Sequence, residues 1–134
     1  MRMLGIRLGY YTEDPIQAWR IDSLLDFAEG KQMDFVKYLF PALKGKPFDE
    51  ATVDPWIENT FAVVLPVYEK RLEEHGKRFL AGDMITIVDF KAFQHWIICT
   101  DINPASKLPQ VAFDKINALV AKFPNTQRWV NTMK

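Results

Sequence analysis

The sequence predicts an all-α domain, a bundle of helices, and three observations carry that expectation. Apolar residues recur at three- and four-residue spacing over long stretches, as in Ile21, Leu24, Leu25 and Ala28. No segment alternates apolar and polar residues for long enough to form a sheet. Asp-Pro pairs at Asp14-Pro15 and Asp54-Pro55 sit where the helical patterns begin, as N-cap and first-turn residues should.

The first element is short. Met1, Leu4 and Leu8 fall at helical spacing and Gly9 suits a C-cap, so residues 1–12 read as the end of a helix and a connection. Arg2 and Arg7, with no acid before Glu13, also suit an organelle presequence, but Gly5, Gly9, Tyr10 and Tyr11 make it a poorly formed one. A long helix then starts at Asp14-Pro15. Ile21, Leu24, Leu25 and Ala28 share one face, and Phe35, Val36 and Leu39 continue it. Gly30 is a weak spot inside this helix, and Phe40-Pro41 is expected to close it.

Residues 43–54, with Gly45 and Pro47, read as a loop. Asp54-Pro55 opens a second long helix whose apolar face is Ile57, Phe61, Val64, Leu65, Tyr68 and Leu72. Pro66 lies inside it, where a missing backbone bond predicts a kink. Glu69, Lys70, Arg71, Glu73 and Glu74 read as a solvated face, with Glu69–Glu73 repelling, Glu74–Arg78 attracting, and Gly76 stopping the helix. The helix from Thr86 to about Thr100 is apolar in nearly every direction, so it is expected at the centre. Phe113, Ile116, Val120 and Phe123 mark another helix after Pro109, and Trp129, Val130 and Met133 a last one after Pro124.

Composition narrows the function. The 134 residues hold seventeen basic and seventeen acidic side chains with no basic run, so there is no electrostatic footprint for nucleic acid or an anionic membrane. No apolar run is long enough for a membrane span. A single cysteine, Cys99, excludes an internal disulfide and suits a reducing intracellular compartment, the cytoplasm ahead of the mitochondrion. His75 and His95 have no partner at a catalytic spacing. His95 reads as a satisfied core or surface residue, and Cys99 on the central helix as packing.

One stretch, FLAGDMITIVDF from Phe79 to Phe90, raises a question by placing Asp89 where an apolar helix begins. Thr86 and Asp89 fit a capping box with Asp at the third helical position. The Thr86 hydroxyl is expected to accept from the Asp89 amide, and the carboxylate to accept from the Thr86 amide. Ile85 and Phe90 flank them at the spacing of a hydrophobic staple. Asp89 therefore reads as structural, not as a catalytic acid.

FLAGDMITIVDF resembles the capping-box and staple segment of the glutathione transferases, ahead of the central helix of their all-helical carboxy-terminal domain. LPVYEKRLEEHGKRFLAGD resembles the preceding helix, RIDSLLDFAEG the first helix of that domain in the sigma and alpha classes, and FDKINALVAKFPNTQRWV its last two helices. The resemblance implies that residues 13–134 are this helical domain and residues 1–12 the last turns and linker of a thioredoxin-like half. That half would carry the residue activating glutathione, so no catalytic residue is expected here; Tyr10 and Tyr11 fall on the interdomain connection.

By the same resemblance, Asp26 matches the aspartate that reaches the glutathione amine of the other subunit, while read alone it is an exposed helical acid. Ala28 and Met33 match the region lining the substrate pocket, although Met33 also suits plain core. Asp22 and Asp26 match two of three aspartates of a divalent-ion site, but Leu25 replaces the third, so no metal and no cofactor are expected, glutathione being a co-substrate only with the other half. The expected role is a non-catalytic interaction or assembly module in a larger complex. Its protein partner would cover the face otherwise packed on the thioredoxin-like half, and the chain could also form a homodimer. The alternative is a fragment of an active transferase that conjugates glutathione to apolar electrophiles, with this half forming the substrate pocket.

Overall fold

The computed structural model describes residues 2–43, 50–75, 78–99 and 108–134; the side chains of residues 38–43, 50, 75 and 95–99 fall outside that description. Helix α1 spans Arg2–Leu8, α2 Pro15–Leu43, α3 Val53–Asn59, α4 Phe61–His75, α5 Ile87–Cys99, α6 Gln110–Val120 and α7 Pro124–Met133, with a single 3₁₀ turn at Glu50–Thr52. Among the described residues there is no strand, only an isolated bridge between Phe79 and Gly82. The chain is all-α, as its periodicity predicts.

The start of α2 has a local cause. Asp14 caps α2, its Oδ1 accepting the Gln17 amide at 2.8 Å and its carbonyl the Ala18 amide at 2.8 Å. Gly9 ends α1 at φ +77, a conformation that costs glycine nothing. Helix α2 runs past Phe40-Pro41 to Leu43, contrary to the expected stop. A proline in the last turn removes one backbone bond, and the turn tolerates that loss.

The second expected helix is divided, and the division does not fall at Pro66. Thr60 (φ −116, ψ −81) separates α3 from α4. Its amide and its hydroxyl both donate to the Trp56 carbonyl, at 3.0 and 2.5 Å, and its own carbonyl accepts the Val63 and Val64 amides, at 3.1 and 2.9 Å. This fully buried threonine thus closes one helix and opens the next. Pro66 lies inside α4 on an exposed face, where the carbonyl its missing N–H would have bonded, that of Ala62, can turn to water. The helical run also begins earlier than the loop expected over 43–54 allows, at Glu50, while Gly45 and Pro47 lie outside the described residues, as do Gly76 and Thr100.

The core draws on every helix from α2 to α7. Ile21, Leu24, Leu25 and Phe35 come from α2, Trp56 from α3, and Phe61, Leu65, Tyr68 and Leu72 from α4. Val88, Ala92 and Phe93 come from α5, Ile116 and Val120 from α6, and Trp129 and Val130 from α7. Edge-on ring pairs run through it: Phe35–Phe61 at 5.2 Å, Trp56–Phe61 at 5.5 Å, Tyr68–Trp129 at 5.9 Å and Phe93–Trp129 at 6.2 Å. Burial pushes the Tyr68 phenol well above its usual range, and the nearby Asp89 charge adds to the shift.

Candidate functional site

Three features could carry function: the buried Asp89, the polar contact between α1 and α2, and a cleft beside the 9–12 connection.

Asp89 is fully buried and gathers four donors. Oδ2 accepts the Thr86 amide at 2.9 Å and the Thr86 hydroxyl at 3.0 Å, while Oδ1 accepts the Leu80 amide at 3.0 Å and the Trp129 indole N–H at 3.0 Å. The Thr86 hydroxyl therefore donates to the carboxylate instead of accepting from the Asp89 amide, which bonds the Thr86 backbone carbonyl at 3.1 Å. Burial pushes the Asp89 carboxyl up, with the four donors pulling it back. Every acceptor direction faces a protein donor, which leaves no room to take a proton from a substrate. Ile85 is half-buried against the core, and Phe90, 44% exposed, sets its ring edge-on to Tyr10 at 5.1 Å.

The second feature joins α1 to α2. Arg2 Nε donates to Asp22 Oδ1 at 2.7 Å, and its Nη2 lies 3.6 Å from Asp26 Oδ1. The Tyr11 hydroxyl donates to Asp22 Oδ2 at 2.9 Å. Partial burial and that bond push the Tyr11 phenol up, so it stays protonated and committed as a donor. Gly5 is the buried point of α1; a Cβ there would stand 2.7 Å from Ile87 Cγ2 and 3.0 Å from Tyr11 Cβ. The Tyr10 carbonyl accepts the Ile87 amide at 3.0 Å, so the connection also touches the start of the central helix. Outside that contact α1 is open, with Met3, Leu4, Ile6 and Leu8 exposed at 52–75% and Arg7 exposed among them.

The third feature is a cleft of about 300 Å³ between this connection, the start of α2 and the turn before α5. Tyr10, Tyr11, Gln17, Ile21, Met84 and Thr86 are among its walls. Asp26, Ala28 and Met33 are not. Asp26 has a side chain 74% exposed, Ala28 is buried at 1%, and Met33 is 69% exposed, so α2 turns Ala28 and Met33 to different surroundings. Among the described residues no group of three or more His, Cys, Asp or Glu side chains could hold a metal ion. The side chains of His75, His95 and Cys99 lie outside the described residues.

Glu69 is the residue that sequence reasoning misplaced. It is not part of a solvated face. Its two oxygens accept the Asn125 and Thr126 amides, at 3.1 and 2.8 Å, and the Asn125 and Thr126 side chains, both at 2.9 Å. It thus caps α7 from α4, since Phe123 at the α7 N-cap position offers no side-chain cap. Of the other charges in that run, Lys70 pairs with Glu74 at 3.6 Å, Arg71 lies over the Trp19 ring at 6.0 Å, and Arg78 lies over the Phe79 ring at 5.4 Å.

These features define a helical domain built around a buried, side-chain-capped central helix. Residues 32–134 match the family model of the glutathione S-transferase C-terminal domain, and the chain belongs to that family. A search of curated proteins found no significant match. No helix among the described residues is long and apolar enough to cross a membrane.

Proposed function

We propose that this domain is a non-catalytic interaction module that seats a protein partner on the open side of α1. The observation that carries the reading is the exposure of Met3, Leu4, Ile6 and Leu8 around the outward side of α1, a helix that otherwise touches the body through Gly5 and Arg2. Exposed apolar rows of this kind mark surfaces that another protein covers. Residues 1–12 then serve as the joint between this domain and that partner, whether a thioredoxin-like half or a separate chain.

The test combines native mass with substitution. The natural chain should travel in an assembly heavier than 15.6 kDa and pass through immobilised glutathione without retention. Leu4→Glu with Leu8→Glu should release it from that assembly while leaving its helical circular dichroism intact. Retention on glutathione, or an assembly indifferent to these changes, rejects the module.

A second reading is the substrate-holding half of a glutathione transferase. It is favoured by the exposure of Asp26 and Met33 on α2, where a ligand or a second subunit can reach them. Glutathione-dependent conjugation of an apolar electrophile, lowered by Asp26→Asn through a raised KM for glutathione, supports this reading.

A further inference from the structure

We propose that the cleft beside the 9–12 connection binds an uncharged small molecule carrying a carboxamide on a compact apolar body, with the Gln17 side chain as its hydrogen-bonding partner. About 300 Å³ of space lies between this connection, the start of α2 and the turn before α5. That volume is at the lower end of ligand pockets and has room for a compact molecule. The site is separate from the pocket assigned to Ala28 and Met33, since neither is among its walls.

Gln17 stands at the third position of α2, where a glutamine after an N-cap aspartate ordinarily completes a capping box by accepting that aspartate's amide. Half of the box is present: Asp14 Oδ1 accepts the Gln17 amide at 2.8 Å. The other half is taken by Thr12, whose Oγ1 accepts the Asp14 amide at 3.1 Å. The Gln17 side chain is thereby relieved of capping, and among the described residues it forms no hydrogen bond. It belongs to the half-buried wall of the cleft with its donors and its acceptor unused.

The neighbouring polar walls are committed to the fold. The Tyr11 hydroxyl is given to Asp22, the Thr86 hydroxyl and amide to Asp89, and the Gly82 amide and carbonyl to Phe79. Tyr10, Ile21, Met84 and Ile85 supply apolar surface. No lysine, arginine or histidine lines the cleft. A carboxylate only accepts and an ammonium only donates, so each uses half of the Gln17 amide. Asp83, an exposed wall residue, adds mild repulsion for the first. A carboxamide matches Gln17 in kind: each offers a donor and an acceptor in one plane, and two bonds form side by side. The ligand is held without any covalent step.

The test is a titration of the full chain, followed by the NMR shifts of its backbone amides, with 3-phenylpropanamide, 3-phenylpropanoate and 3-phenylpropylammonium. These compounds share a body and differ in the end group. At neutral pH the carboxamide should bind roughly fivefold more tightly than either ion, with the largest shifts at Gln17, Met84 and Ile85. Gln17→Leu should remove that preference while the ring still binds. Gln17→Glu, which only accepts, should move the preference to the ammonium. An ion that binds the natural chain as tightly as the carboxamide, or a preference that survives Gln17→Leu, overturns the proposal. So does an absence of carboxamide binding, or binding whose largest shifts lie away from the cleft. Should Gln17→Leu fail to fold, Gln17→Glu decides, and an unchanged preference for the carboxamide in that variant overturns the proposal.

Discussion

The Trp129 indole donates to Asp89 Oδ1 at 3.0 Å, tying the last helix to the start of the central one. This bond turns a local helix cap into a tertiary joint, because the same carboxylate also holds the Leu80 and Thr86 amides. Asp89→Ala leaves those donors buried without an acceptor. It should cost about 3 kcal/mol or more, read as a lower urea midpoint. Trp129→Phe removes one donor and keeps most of the packing, so it should cost about 1–2 kcal/mol. A loss for Trp129→Phe as large as that for Asp89→Ala would show that ring packing dominates the joint.

Glu69 gives stability a dependence on acid. Partial burial pushes its carboxyl up, but the backbone and side-chain donors of Thr126 and Asn125 together outweigh that and hold it below the usual glutamate range. A depressed folded-state value means that the contribution is complete above the ordinary glutamate range and is lost as pH falls through the depressed one. Thermal melts of the native chain should therefore lose stability on acidification, and Glu69→Gln should lose less over the same interval. The variant should also speed hydrogen exchange in the first turn of α7.

Gly5 is the point on which α1 rests. Gly5→Ala puts a methyl against Ile87 and Tyr11, so α1 must shift away. We expect faster hydrogen exchange over residues 2–8, with a global loss of about 1 kcal/mol. A melting temperature lowered as far as by Asp89→Ala would mean that α1 belongs to the cooperative core.

Asp22→Asn tests the polar half of the same contact. Arg2 and Tyr11 lose their shared anion, but the guanidinium is largely in water, so the loss of stability should be small and shrink in salt. Titration of Tyr11 followed by ultraviolet absorbance should move down towards its ordinary value in this variant.

These outcomes separate what sequence could show from what it could not. The Asp14 cap, the Gly9 end of α1 and the Asp89–Thr86 amide bond involve residues within a turn of each other, so spacing alone points to them. The division at Thr60 was masked by Pro66, the stronger breaker by composition. The Thr60 backbone angles and its buried hydroxyl mark the division, and residue spacing shows neither. Glu69 was hidden because its partners lie across the bundle, and a glutamate in a charged run looks like surface. One signal did exist: Pro124-Asn125-Thr126 starts a helix with no capping side chain before it, which calls for an acceptor from elsewhere. Of the candidate site residues, Asp26, Ala28 and Met33 share a helix in sequence, yet the turn of α2 gives them unlike surroundings.

The span of the Asp89 contacts has a consequence for the order of assembly. Leu80 and Thr86 lie within ten residues of Asp89, whereas Trp129 is forty residues further on. During synthesis from the amino end, the short-range bonds can close while the indole is still unmade. The carboxylate then waits with one acceptor direction of Oδ1 open to water until the segment carrying Trp129 docks. Loop closure over that span is slower than closing a single turn, so docking of the final segment sets the moment at which the ensemble becomes one cooperative unit. A ribosome-stalled chain ending before Pro124 should hold its central helix start yet remain sensitive to protease.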